Sequence, residues 1–137
     1  MKILVAYDGS GRGRGVLEWA TRLAKAEAGS EVAVICVAAG LEAAPPIADA
    51  VDPSSSLETQ RAHLADAGAA LSAAGVQAET ILKVGNPAAE IINAADDGDY
   101  GLILIGSTGA HHAMRFLMGS VSDRVVRHAS RPVLVVR

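Results

Sequence analysis

Glycines and hydroxyl side chains recur at a fixed spacing in the last third of the chain. Gly106-Ser107-Thr108-Gly109 follows a short apolar run, and Gly119-Ser120 comes after a spacer of nine residues. Glycine lets a backbone approach a ligand closely, and free N–H groups at a helix N-terminus attract anions such as phosphate. This spacing predicts a site that holds a polyphosphate mainly through backbone groups. The alternative is that these glycines only make tight turns.

Five apolar runs of strand length alternate with segments of helical periodicity. We predict strands over 3–7, 32–37, 78–84, 102–105 and 133–136, and helices over 10–28, 57–74, 87–95 and 116–129. Several of the apolar runs are continuous, which is typical of parallel strands buried on both faces. The alternating order predicts an open, doubly wound α/β sheet, in which ligands bind at the carboxyl ends of the strands.

Length and composition limit the kind of protein. The 137 residues predict a single domain over 1–137, and a chain that is half apolar but only 3% aromatic predicts a core of Val, Ile, Leu and Ala. A net charge of −3 with no Lys/Arg block argues against a nucleic-acid partner. The lone Cys36 cannot form an internal disulfide, and no apolar run reaches membrane-spanning length. We therefore expect a cytoplasmic protein with no membrane partner.

The spacing Gly106-x2-Gly109-x9-Gly119-Ser120 resembles the G-x2-G-x9-G-[ST] motif with which ATP-binding universal stress proteins hold ribose and phosphates. Residues 3–10, 85–87, 119–129 and 131–136 resemble the opening strand and acidic turn, the Gly-x-Pro turn, the closing helix and the last strand of that family. The resemblance covers nearly the whole chain except 38–56, which we predict to be a mobile surface loop. It implies a five-stranded parallel sheet of order 3-2-1-4-5, of the adenine nucleotide alpha hydrolase-like type, with helices on both faces.

The resemblance also implies an adenine nucleotide site, residue by residue. Asp8 lies near the adenosine, and Val37 lies at the adenine end. The ribose and triphosphate are then lined by Ile105, Gly106, Gly109, Gly119, Ser120 and Val121. Asp8 has an alternative role, which is to cap the first helix or to close a turn beside Gly9 and Ser10.

Other polar residues have weaker patterns. Arg12 and Arg14 are candidates for phosphate contacts, with solvated arginines at a helix start as the alternative. The pair His111-His112 lies in the nine-residue spacer without the further ligands that a metal site needs, so a surface loop is favoured. Cys36 stands where the family often has His, and its apolar surroundings favour a core residue over a nucleophile.

The leading functional hypothesis is an ATP-binding module, with Mg²⁺ bridging the phosphates, that responds to nucleotide through a population shift in a stress or signalling role. The alternative is a slow ATPase or nucleotide-transferring enzyme on the same fold. The Walker spacing is absent, and only Asp8, Arg12 and Arg14 are candidates near a γ-phosphate. No residue is assigned a catalytic role.

The last strand predicts a homodimer. Val133-Leu134-Val135-Val136 would otherwise leave an apolar sheet edge with unpaired backbone groups, and the resemblance implies the same assembly. The alternative is an edge protected by its own brevity and by Arg131, Pro132 and Arg137.

Overall fold

A parallel five-stranded sheet with helices on both faces is the framework of the protein. The computed structural model describes residues 1–11, 13–40, 56–107 and 118–137. Its elements are β1 (Lys2–Ala6), α1 (Gly13–Ala26), β2 (Glu31–Ala39), α2 (Leu57–Ala73), β3 (Ala78–Gly85), α3 (Pro87–Asp97), β4 (Leu102–Gly106), α4 (Ser120–His128) and β5 (Val133–Val136). The strands lie in the order β3-β2-β1-β4-β5 and every neighbouring pair is parallel. The predicted fold class and strand order are therefore confirmed.

The core consists of two layers because successive side chains of a strand point to opposite faces of the sheet. On one face, Ile3 and Val5 pack with residues of α1 and α2 such as Val16 and Leu71. On the other face, Leu4 packs with residues of α3 and α4, including Val125. The two layers hold the central strands rigidly and leave the carboxyl ends of β1, β2 and β4 at one edge of the sheet. No helix within the described ranges is long and apolar enough to cross a membrane.

Side-chain caps start the two middle helices. The Ser56 hydroxyl accepts the N–H of Thr59 at 3.2 Å, and the Asn86 side chain accepts the N–H of Ala89 at 3.1 Å. Such caps satisfy N–H groups that have no partner inside a helix. Pro87 occupies the first turn of α3, where its missing N–H costs nothing. The predictions for these two helices are confirmed to within two residues of their ends.

The other two helices begin later than predicted. α1 begins at Gly13 rather than at residue 10, because the Ser10 hydroxyl and carbonyl both accept the Gly13 N–H and form a turn before the helix. α4 begins at Ser120 rather than at residue 116, because Gly119 is extended, with φ −63° and ψ 158°. The predicted start at Phe116 lies outside the described residues.

The irregular segment after β2 also begins later than predicted. Ala38 and Ala39 continue β2, because they pair with Val84 and Gly85 of β3. Residues 41–55 of the predicted loop lie outside the part of the chain that the structure describes, and Ser56 caps α2.

Cys36 lies inside the sheet as a core residue. Its side chain is fully buried in the layer under α1 and α2. Burial, and to a smaller extent the negative charge of Asp8, raises the pKa of the Cys36 thiol to about 12. The thiol therefore stays protonated in the folded protein at any physiological pH, which agrees with the prediction that it is not a nucleophile.

The raised thiol pKa predicts a loss of stability at alkaline pH. In the unfolded chain the thiol ionises near its ordinary pKa of 9.0, whereas the folded protein keeps the proton up to about 12. The protonated thiol therefore makes its full contribution to the free energy of unfolding below pH 9. Above pH 9 this contribution decreases, by at most about 1.4 kcal/mol per pH unit. We expect urea unfolding of the wild type to show this decrease between pH 8 and pH 10, and Cys36→Ala to lack it. Burial, the largest cause of the raised pKa values of Tyr7 and Tyr100, remains in Cys36→Ala, which removes only the smaller contribution of Cys36 to the pKa of Tyr7. Equal pH dependence in the two proteins would contradict the prediction.

Candidate functional site

The carboxyl ends of β1 and β4 meet where the strand order reverses. β1 lies between β2 and β4, so strands that follow it in the chain lie on both sides of it in the sheet. Ala6 pairs with both Ile35 and Ile105, so continuing the two registers places Asp8 level with Val37 and Ser107. Ligands of doubly wound sheets bind in this crevice. The structure therefore places the predicted residues Asp8, Val37 and Gly106 at one edge.

The end of β4 is joined directly to the start of α4. The Gly119 N–H donates to the Ser107 carbonyl at 2.7 Å. The Ser122 hydroxyl lies 2.9 Å from the same carbonyl and 3.0 Å from the Gly119 carbonyl, and it donates to both. The two halves of the predicted motif, on either side of the nine-residue spacer, are thus adjacent in space. We call this contact between 106–107 and 119–122 the β4–α4 junction.

Backbone N–H groups at the start of α4 can receive an anion. The first hydrogen bond of the helix is from the Asp123 N–H to the Gly119 carbonyl, at 2.9 Å. The N–H groups of Ser120, Val121 and Ser122 precede it, and no side chain of the described residues caps this helix end. The helix dipole adds partial positive charge here. Ser120 is exposed, so its hydroxyl is open to the same ligand.

Apolar side chains from three elements lie beside this helix end. Val37 of β2, Ile105 of β4 and Val121 of α4 all belong to, or pack against, the core layer under α3 and α4. Ile105 is buried, whereas Val37 and Val121 are partly open. The three residues come from separate parts of the sequence, and together they give the crevice an apolar surface near the start of α4.

Asp8 closes a turn after β1. Its carboxylate oxygen Oδ1 accepts the N–H of Ser10 at 2.9 Å, and Gly9 between them has φ +75°. This is the alternative role that the sequence offered for Asp8. The residue is exposed, so the carboxylate is also accessible from the crevice. Turn closure and ligand contact are compatible, because a carboxylate has two oxygens with several acceptor positions.

Several of the predicted residues lie outside the described residues. They are Gly109 of the motif, Arg12, His111 and His112. Within the described ranges, no group of three or more His, Cys, Asp or Glu side chains could hold a metal ion.

Comparison with known proteins identifies the family. A model of the universal stress protein family matches residues 1–137. The chain belongs to this family. The universal stress protein YxiE of Bacillus subtilis is 34% identical over 148 aligned residues, which cover 99% of this chain and 98% of that protein.

Solved structures of universal stress proteins share the fold over the whole chain. One from Archaeoglobus fulgidus, in complex with dAMP, is 28% identical with a TM-score of 0.77, covering 100% of this chain and 98% of that one. Another, from Burkholderia pseudomallei, is 31% identical with a TM-score of 0.70, covering 98% of this chain and 94% of that one. The family resemblance seen in the sequence is therefore confirmed.

Two contacts of this universal stress protein were missed from its sequence. Ser122 is a buried polar residue that fastens the β4–α4 junction. Its position three residues before Val125, on the same face of α4, is the signal that could have identified it. The second contact joins Gly9 to His63 of α2. These residues are far apart in the sequence, and no local pattern links them.

Ser122 should matter for stability more than its neighbour Ser120. Ser122→Ala removes a buried hydroxyl that donates to two carbonyls, so we expect the free energy of unfolding to decrease by about 1 kcal/mol. Ser120→Ala, an exposed serine of the same helix, serves as the control and should change it by less than about 0.5 kcal/mol. Urea unfolding monitored by circular dichroism measures both. Equal effects would mean that the hydroxyl of Ser122 does not hold the junction.

Proposed function

We propose that this universal stress protein binds an adenine nucleotide, with ATP and Mg²⁺ as the natural ligand. The main support is the β4–α4 junction, which sets three N–H groups of a helix start beside an apolar crevice. That combination suits a molecule with an apolar ring at one end and phosphate at the other. The dAMP complex of the Archaeoglobus fulgidus protein, which resembles this chain over its full length, also supports the proposal.

The proposed ligand contacts divide between the two ends of the nucleotide. Asp8 and Val37 contact the adenosine end, and Ile105 and Val121 extend the apolar surface. Gly106, Gly109, Gly119 and Ser120 then surround the ribose and phosphates. Gly106 and Gly119 permit close approach of the backbone to the phosphates. Gly119 does this without a left-handed conformation, because its φ is −63°.

Mg²⁺ would arrive with the nucleotide. A helix start supplies only about half a positive charge, so a triphosphate needs a further cation to balance its own charge. Mg²⁺ commonly binds through phosphate oxygens and water with few protein ligands. The chemistry of the described residues fits this arrangement, since hydroxyl oxygens of Ser107 and Ser120 and the carboxylate of Asp8 lie at the same edge of the sheet.

We favour nucleotide sensing over turnover. The donors at the β4–α4 junction are backbone groups and hydroxyls, which bind phosphate but provide neither a general base nor a cationic clamp. A bound nucleotide acts by shifting the population of conformations, and the stress or signalling output follows from that shift. Measured ATP hydrolysis above that of the buffer would instead favour the slow ATPase.

Binding can be tested with a pair of glycine variants. We expect calorimetry to show saturable binding of ATP in the presence of Mg²⁺ to the folded, nucleotide-free wild type. Gly119→Val should weaken it by at least about tenfold, because the branched side chain obstructs the approach of phosphate to the helix start. Gly101→Val is the control, since Gly101 precedes the other end of β4 and its added Cβ would make only an ordinary contact, 3.7 Å from Met1 Cγ.

Two results would count against these expectations. If the wild type shows no binding at millimolar ATP, the proposal that it binds a nucleotide is refuted. Unchanged affinity in Gly119→Val means that Gly119 only forms a turn. Circular dichroism should confirm that both variants are folded.

We also propose a homodimer through β5. In its pairing with β4, the carbonyls of Pro132 and Val136 accept N–H groups of Ile103 and Ser107. Backbone groups alternate in direction along a strand, so those of Val133 and Val135 point away from the sheet. β5 has no charged residue, whereas the opposite edge strand β3 has the exposed Glu79 and Lys83. Charges on an edge oppose strand pairing, so β5 is the edge that favours a second copy.

A proline on the outer edge tests the dimer. Val135→Pro removes an N–H that points outward and leaves the hydrogen bonds to β4 in place, so we expect a monomer. Val135→Ala shortens the same side chain but keeps the N–H, and should remain a dimer. Light scattering at tens of micromolar protein, with and without ATP, distinguishes the two. A monomeric wild type under both conditions, or a dimeric Val135→Pro, would refute pairing through β5.

A further inference from the structure

The imidazole ring of His63 packs against the turn after β1. A Cβ atom built on Gly9 would clash with three atoms of this ring, Cδ2, Cε1 and Nε2. The ring therefore occupies the space that any side chain at Gly9 would need. The Tyr7 ring meets His63 edge-on, with centroids 6.4 Å apart and an interplanar angle of 82°. His63 thus contacts both chain neighbours of Asp8.

The three ring atoms nearest to a Cβ on Gly9 are Cδ2, Cε1 and Nε2, and the nitrogen Nδ1 is not one of them. This atom is buried, and it has no hydrogen-bond partner among the described residues. What the ring supplies is a flat surface that fills the space between Tyr7 and Gly9.

Packing of this kind is needed because Asp8 and Gly9 lie beyond the end of the strand. β1 ends at Ala6, and the Tyr7 N–H still donates to the Ile35 carbonyl at 3.0 Å. After Tyr7 the chain turns through Gly9, whose φ of +75° few other residues adopt. The carboxylate of Asp8 can keep one position only if the turn on either side of it is held.

We propose that His63 is a positioning residue for the nucleotide site. Its ring holds Tyr7 and Gly9, and so fixes the Asp8 carboxylate for contact with the adenosine end of the ligand. The proposal rests on nucleotide binding as proposed above. It also connects α2, which packs on β2 and β3, to the turn that contacts the ligand.

Three variants of α2 separate positioning from general destabilisation. His63→Ala removes the ring, His63→Phe keeps a flat ring without nitrogen, and Leu71→Ala shortens a fully buried side chain elsewhere in the same helix. Calorimetry with ATP and Mg²⁺ should be done at a temperature where circular dichroism shows each variant folded. We expect His63→Ala to bind about fivefold more weakly or worse, and the other two to stay within about twofold of wild type. Should the alanine variant not fold, His63→Leu replaces it with the same expectation.

Each result supports or overturns the positioning role. Wild-type affinity in His63→Ala overturns it, and so does an equal loss in Leu71→Ala. A loss in His63→Phe as large as that in His63→Ala overturns the shape argument, because an imidazole nitrogen would then be the essential group. No binding by the wild type is a failure of the proposed function, not of the contact itself.

The contact can be measured without any ligand. Gly9→Ala should shift the urea midpoint down in the wild type and much less in a His63→Ala background, because the ring is no longer in the way of the new Cβ. The backbone cost of alanine at positive φ is present in both backgrounds and cancels in the double-mutant cycle. Additive effects would show that the ring does not restrict Gly9, and would overturn the proposal even if nucleotide binds.

Discussion

The carbonyl oxygen of Ser107 accepts hydrogen bonds from the Gly119 N–H and from the Ser122 hydroxyl, and the position of α4 depends on this atom. Two donors on one carbonyl fix both the distance and the direction of a helix start. The N–H groups of Ser120 and Val121 come just after this anchor, at a helix start that no side chain of the described residues caps. Without this anchor, a nine-residue spacer would separate the two halves of the motif.

Ser107 is also hydrogen-bonded to the edge strand β5. The Ser107 N–H donates to the Val136 carbonyl at 2.8 Å, so one residue joins β4, α4 and β5. Phosphate binding at α4 and pairing of two copies through β5 would therefore act on the two backbone groups of a single residue. In the proposed function, this arrangement would give a physical route from nucleotide occupancy to subunit contact.

The other half of the crevice is held by packing as well as by hydrogen bonds. The side chains of β1 alternate between two core layers, and the strand ends at Ala6. Beyond it, the turn through Asp8 and Gly9 is closed by the Ser10 N–H and covered by the ring of His63. The proposed site thus combines a helix start that is hydrogen-bonded to the end of β4 with a turn that contacts a neighbouring helix.

What the sequence by itself determined was the order and type of the elements and the family, whereas its site residues stay a prediction. Those features follow from local patterns: apolar runs, helical periodicity and glycine spacing depend only on near neighbours in the chain. Helix starts were less accurate, because the turn at Ser10 and the extended Gly119 depend on specific hydrogen bonds. Only the tertiary structure brought Ser107 to Gly119 and Ser122, and His63 to Gly9. These contacts join residues that are distant in the sequence, and their partners are decided by how the sheet and helices pack.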